Sequence, residues 1–247
     1  MARYGMVIDL DRCQGCRACM VACKVENSTP QSSFFMYVFK FEEGEFPGSR
    51  VHFMPRPCMH CDNAPCVKVC PVGARYKRED GLVATDWDRC IGCRYCEVAC
   101  PYGVNTFNWK DPQDNYYLDW NDDDVSSATD GVVPPYRNPA LDEEYGPEER
   151  RTAGGGHAAG VIEKCTFCVH RVEEGLEPAC VQTCPVRALA FGDLDDPESE
   201  PSRLLSSRDS FRLLEETGTE PRVHYVGGAP PDDASQQVEA PVSKVEV

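Results

Sequence analysis

Long apolar runs are missing from this chain. The longest covers residues 34–41, is interrupted by Lys40, and falls far short of the roughly 20 apolar residues a bilayer-spanning helix needs. Residues 1–10 carry neither the apolar segment of a secretory signal nor a twin-Arg pair. The polypeptide is therefore expected to be soluble or peripheral, with no transmembrane segment of its own. Positive charge is also scarce: 25 Lys and Arg stand against 41 Asp and Glu, a formal net charge of -16. Phosphate binding needs a basic face, so this balance argues against nucleic acid as a partner. Lys is rarer than Arg, a bias compatible with high salt that composition alone does not establish. No phosphate-binding loop, dinucleotide fingerprint or nucleophile–base pair is visible to support catalysis by the chain itself.

Cysteine, by contrast, is abundant, with 16 residues. Disulfide frameworks belong to short secreted chains, which leaves metal ligation as the better use of these thiols. Residues 90–101 read C-I-G-C-R-Y-C-E-V-A-C-P, the Cys-x2-Cys-x2-Cys-x3-Cys-Pro run of bacterial [4Fe–4S] ferredoxins. Cys90, Cys93 and Cys96 lie on one tight loop. Gly92 lets the backbone approach the cluster without a Cβ. Cys100 falls beyond that loop, where a helical turn is expected to begin, so its sulfur faces a second cluster. Zinc sites more often pair two Cys-x-x-Cys units.

The same spacing occurs at Cys13, Cys16, Cys19 and Cys23, preceded by Asp9-x-Asp11-Arg12 as the later run is by Asp86-x-Asp88-Arg89. Here Lys24 stands where Pro101 follows Cys100. Two looser sets alternate with these: Cys58, Cys61, Cys66 and Cys70-Pro71, and Cys165, Cys168, Cys180 and Cys184-Pro185. The order A, B, A′, B′ is an internal repeat. Residues 4–10 read as a strand, 33–41 and 51–54 as a hairpin, and 75–77 with 82–85 as a second hairpin turning at Asp80-Gly81. Residues 202–217 read as a short helix with Leu204, Leu205, Phe211, Leu213 and Leu214 as its apolar set. The acidic, Pro- and Gly-rich stretch 111–160, with Tyr116, Tyr117, Trp120 and Tyr136, reads as a docking insert. Residues 229–247 read as a disordered or partner-bound tail.

Arg17, Lys24, Lys68, Arg75, Lys77, Arg78, Arg94, Lys164 and Arg171 crowd the cysteine runs. They either offset cluster charge or are ordinary surface charges. His60 and His170 adjoin ligand cysteines. The thiol sets are already complete, so both read as hydrogen-bond donors around the clusters rather than iron ligands.

These runs, together with H-C-D-N-A-P-C-V-K-V-C-P-V-G-A and E-K-C-T-F-C-V-H-R, resemble the four-cluster iron–sulfur subunits of molybdopterin oxidoreductases. The subunits meant are those of the dimethyl sulfoxide, polysulfide, thiosulfate, tetrathionate and arsenate reductases. The nitrate reductase relatives replace one cysteine of the third run by Trp. Here that run is complete, and no C-terminal membrane helix of the formate dehydrogenase kind is seen. The resemblance implies an electron-transfer subunit, not itself catalytic, carrying four [4Fe–4S] clusters. It also implies a large molybdopterin catalytic subunit and an integral membrane quinone-reactive subunit as partners. Co-export with the catalytic subunit would place the assembly on the extracytoplasmic face, with a cytoplasmic location left open.

The expected fold is α+β, two interleaved ferredoxin-like modules with short hairpins, short helices and long loops. Residues 1–197 would form the core: an outer module of 4–33 with 161–192, an inner module of 55–110, the hairpin 34–54 and the insert 111–160. Residues 198–247 would be an extension and tail. Crossing of the fourth ligand between paired runs gives four sets. They are Cys58, Cys61, Cys66 and Cys100; Cys70, Cys90, Cys93 and Cys96; Cys13, Cys16, Cys19 and Cys184; and Cys23, Cys165, Cys168 and Cys180. The rival scheme pairs the first run with the second and the third with the fourth. A free polyferredoxin and a zinc-stabilised interaction module are the other functional readings.

Overall fold

A continuous apolar run, Met6-Val7-Ile8, makes Tyr4–Asp9 a strand, β1, and every residue from Gly5 onward is buried. A strand covered on both faces needs neighbours on both edges, and they come from the far end of the chain. The computed structural model describes residues 2–30, 33–109, 144–145, 152–154 and 157–228. The short hairpins come first: β2 (Tyr37–Glu43) with β3 (Arg50–Arg56), and β4 (Arg75–Lys77) with β5 (Val83–Thr85). Next, β6 (Thr106–Phe107) pairs with β9 (Ile162–Glu163), and β7 (Glu144–Tyr145) with β8 (Ala153–Gly154). The last strands are β10 (Leu189–Asp193), β11 (Ser210–Phe211) and β12 (Val223–Val226). The main sheet has the order β10-β1-β12-β11. β10 runs antiparallel to β1, with Tyr4 opposite Asp193 and Ile8 opposite Leu189. β12 runs parallel to β1, with Met6 opposite Val223. A parallel neighbour requires a crossover, and here the whole cysteine-bearing region is that crossover.

The helices are short: α1 (Ala18–Glu26), α2 (Pro65–Lys68), α3 (Tyr95–Val98), α4 (Val169–Glu173), α5 (Ala179–Gln182) and α6 (Glu200–Ser207). Helix α1 packs on α5, and α2 on α3. Proline explains the lengths. Pro71, Pro101 and Pro185 follow their cysteines and cannot donate an amide to a continuing helix. Lys24 can, so α1 runs through Cys23 to Glu26. The helical turn near Cys100 precedes it, at α3, rather than beginning there.

The helix expected over 202–217 is shorter and earlier. Ser199 caps α6 by accepting from the Ser202 amide, and the helix ends at Ser207 with Arg208 extended. The hydroxyls of Ser206 and Ser207 bond carbonyls of the previous turn, competing with its continuation. Phe211 is claimed by the sheet instead, opposite Tyr225 and stacked on its ring. Leu204 and Leu205 still face the core as read, packing on Val7, Ala190 and Val226.

The β6–β9 pair brings the two ends of the acidic insert together, and the Asn108 amide extends it to the Val161 carbonyl. Most of that insert, with Tyr116, Tyr117, Trp120 and Tyr136, and the tail 229–247 lie outside the described residues.

Candidate metal centres

One backbone conformation recurs in all four cysteine runs. The residue before the second cysteine is left-handed in each: Gly15 (φ 68), His60 (φ 44), Gly92 (φ 67) and Phe167 (φ 56). That turn aims the residue's own amide back at the first sulfur. The His60 and Phe167 amides donate to Cys58 Sγ (3.5 Å) and Cys165 Sγ (3.3 Å), and the Gly15 amide faces Cys13 in the same way. Glycine is required twice for a second reason. A Cβ on Gly15 would lie 2.3 Å from the Phe53 ring, and one on Gly92 2.1 Å from the Gly160 carbonyl. His60 and Phe167 bear the left-handed strain, about 1–2 kcal/mol each, with their rings stacked 4.0 Å apart.

The helices then gather the sulfurs. Cys13, Cys16, Cys19 and Cys184 line one cavity, and Cys58, Cys61, Cys66 and Cys100 line another. Cys23 lies among Cys165, Cys168 and Cys180. The Asn27 amide, at the end of α1, reaches both Cys23 Sγ (3.6 Å) and Cys168 Sγ (3.8 Å). Arg75 joins two of the remaining cysteines. Its backbone amide donates to Cys70 Sγ, and its Nη2 donates to Cys96 Sγ, both at 3.4 Å. Cys90 and Cys93 precede Cys96 on the loop that enters α3, and Cys93 is exposed.

The donor set suits iron–sulfur clusters. Among the described residues, no three His, Cys, Asp or Glu side chains converge on a point where a single ion would sit. The cysteines instead line cavities, the larger footprint of a multi-iron group. Amides point at the sulfurs, as at Cys184 from Ala188 (3.3 Å). The Nε and Nη1 atoms of Arg75 are buried without a protein acceptor. Burial also raises the thiols: those of Cys19, Cys61 and Cys165 are pushed up to about 12, with neighbouring cysteines adding to the effect. Without metal these side chains stay protonated, so loading must release protons.

The clustered cations divide by position. Arg75 and Lys164 are buried among the cysteines, Lys164 donating to the Val83 and Cys165 carbonyls. The rest do structural work. Lys24 ties Pro30 and Ser33 carbonyls, Lys77 pairs with Asp62, and Arg78 with Asp80 and Glu173. Lys68 bonds Asn63, Arg94 pairs with Glu97 over the Trp109 ring, and Arg171 binds Glu26. Arg17 is exposed.

The His60 ring accepts from the Val83 amide (3.0 Å) at Nδ1, and its backbone amide serves a sulfur. His170 Nε2 is engaged by Glu26 (2.8 Å). Burial beside Lys164, Arg222 and Arg75 holds His60 well below the usual imidazole range. Sequence reading missed Asn27, Arg56 and Asn105. Asn27 was findable as the residue closing α1, four beyond Cys23. Arg56 and Asn105 carry no local signal.

Comparison with known proteins agrees with this donor chemistry. The 4Fe-4S dicluster domain family matches residues 49–115 with 155–194, and a second 4Fe-4S dicluster domain family matches residues 12–74. Two such domains imply four [4Fe–4S] clusters. The chain is 41% identical to a putative dimethyl sulfoxide reductase iron–sulfur subunit of Halobacterium salinarum, over 92% of this chain and 80% of the relative. It is 42% identical to the arsenate respiratory reductase iron–sulfur subunit ArrB of Shewanella sp., over 91% of this chain and 96% of the relative. It is 45% identical to a subunit of the selenate reductase of Mesobacillus selenatarsenatis, over 90% and 70% respectively.

Proposed function

As the chain belongs to the family of four-cluster iron–sulfur subunits of molybdopterin oxidoreductases, we propose that it is the electron relay between a quinone-linked membrane subunit and a molybdopterin catalytic subunit. The relay is not itself catalytic. Each [4Fe–4S] group, when bound, accepts and returns one electron. The chain's part is to hold, space and tune these groups. In this reading Cys13, Cys16, Cys19 and Cys184 form one ligand set, and Cys23, Cys165, Cys168 and Cys180 the next. Cys58, Cys61, Cys66 and Cys100 form the third, and Cys70, Cys90, Cys93 and Cys96 the fourth. The two ferredoxin-like modules are interleaved, residues 55–110 inside 4–33 with 161–192.

The observation that carries the reading is Cys184 in one cavity with Cys13, Cys16 and Cys19, from opposite ends of the cysteine-bearing region. Cysteines of neighbouring sets also lie close enough to influence one another electrostatically. Cys19 lies by Cys23, Cys165 by Cys58, and Arg75 between Cys66 and Cys96. This proximity supports a line of four sites whose ends, at exposed Cys16 and Cys93, face the partners. Among the described residues no helix is long and apolar enough to cross a membrane, and in this reading the membrane subunit supplies the anchor. The relatives are named for different substrates, which assigns substrate choice to the catalytic subunit.

The test is metal analysis and paramagnetic resonance on the intact complex. About sixteen Fe and sixteen sulfides per chain are expected. Cys184→Ser should alter the same signal as Cys16→Ser. Zinc in place of iron, or a Cys184→Ser signature shared with Cys93→Ser, would overturn the assignment. Protease accessibility in spheroplasts and inverted vesicles decides the face, expected to be extracytoplasmic.

A further inference from the structure

The four sites differ most in the charge buried around them. Two cations, each at most 3% exposed, flank the site of Cys58, Cys61, Cys66 and Cys100. Lys164 lines its cavity, and its ammonium is held between the carbonyls of Val83 and Cys165. Arg75 approaches from the Cys96 side. It bonds Asn105 Oδ1 at 2.8 Å, and Asn105 lines the same cavity. Arg56, outside the cavity lining, donates to the Tyr102 and Gly103 carbonyls just beyond Cys100. Among the described residues, no carboxylate lines this cavity.

Among the described residues the other sites show less deeply buried positive charge; Lys24, near Cys23, is only half-buried. Around Cys13, Cys16, Cys19 and Cys184 the one charged lining residue is Arg17, which is exposed and screened by solvent. Beside Cys23 and Cys168 the buried Arg171 is matched by Glu26, which also engages His170. The site of Cys70, Cys90, Cys93 and Cys96 shares Arg75 but opens to solvent at Cys93.

We infer that Lys164 and Arg75 make the Cys58–Cys61–Cys66–Cys100 site the highest-potential of the four. The inference rests on the ligand sets proposed above. Reduction adds one electron and so one negative charge at the site. Buried cations held by carbonyl, amide and sulfur groups rather than by carboxylates favour that state in a medium that screens them poorly, whereas solvated cations do so weakly. An electron handed on from either neighbouring site, which is reoxidised in the transfer, would rest at this interior position before moving on.

The experiment is a potentiometric titration of the intact complex followed by electron paramagnetic resonance, with Cys61→Ser marking the signal of this site. The marked signal is expected to be the first reduced as the potential is lowered. Lys164→Met and Arg75→Gln should each lower the reduced-to-oxidised ratio of that site at fixed poise at least tenfold, about 59 mV for one electron. Arg75→Lys, which keeps the charge, should shift it less than Arg75→Gln. Should a methionine or glutamine variant fail to assemble, the wild-type order of reduction and Arg75→Lys still decide. A marked signal reduced after another site, or charge-removing variants with full iron and unmoved midpoints, would overturn the inference. Failure of the relay reading itself would look different: missing iron or missing signals in the wild-type complex, whatever the potentials.

Discussion

Gly92 and Gly73 are both left-handed, yet they answer to different constraints. A Cβ at Gly92 collides with the Gly160 carbonyl, whereas one at Gly73 meets nothing within 4 Å. Gly73→Ala is therefore expected to cost only the backbone penalty, about 1–2 kcal/mol. Gly92→Ala adds a clash with a main-chain oxygen and should displace the loop that carries Cys90 and Cys93. Thermal unfolding with iron content separates the two: Gly73→Ala lowers the midpoint and keeps full iron, and Gly92→Ala loses iron from one site. His60 and Phe167 hold the equivalent conformation with bulky side chains, and the stack of their rings is the compensation.

At the scale of elements, two devices hold the cysteine loops in place. The first is the length of α1, which exists because Lys24 replaces the proline of the other runs. Lys24→Pro removes an interior helix amide at a cost of about 3 kcal/mol. It would also displace Glu26 and Asn27, which meet His170, Arg171 and the Cys23 and Cys168 sulfurs. Loss of iron from a single site is expected, while Pro71→Ala should retain all of it. The second device is Asp62, where Arg3, Lys77 and Arg222 converge from the N-terminus, the inner hairpin and the extension. Burial opposes its ionisation, but bonds from Arg222, Lys77 and Arg3 prevail and hold the carboxyl well below the usual range. A depressed folded pKa contributes stability that is complete above the unfolded value, near 3.9, and is lost as pH falls through the folded value. Asp62→Asn should thus cost about 1–3 kcal/mol, constant above about pH 5. Thermal midpoints of mutant and wild type across neutral pH check it.

For the whole molecule, the extension after residue 197 carries no cysteine, yet β12 covers one edge of β1. Tyr225 bonds the Pro55 carbonyl, and Arg222 reaches Asp62 and Asp80. Truncation at residue 209 would strip β1 of that edge, and about four Fe, one cluster's worth, are expected to be lost from the Cys13 site. Metal analysis of the truncated complex checks this. Removing residues 121–130 should be mild by comparison. The ends of the insert are already joined by the β6–β9 pair, and loop-closure cost changes slowly with length. Full iron with weakened subunit assembly, followed by size-exclusion chromatography, is the expected result.

Local spacing carried much of this protein in the sequence itself. The cysteine runs, the turn at Asp80-Gly81 and the strand 75–77 are set within a few residues, where backbone preference and ligand reach decide the outcome. Gly92 reads as a position with no room for a Cβ, and Gly15, at the equivalent place, meets the same limit. The left-handed conformation at His60 and Phe167 was hidden, since only the partner ring, far away in sequence, makes it tolerable. The reach of α6 was overestimated for a related reason: Phe211 has helix-compatible neighbours, but pairing with Tyr225 outweighs them. The burial of Arg75 and Lys164 and the solvation of Arg17 were equally unreadable, because all three lie within five residues of a cysteine. Whether a charge is screened depends on which distant segments close over it, and that is decided only when β10 and β12 return to β1 and the chain folds around its own crossover.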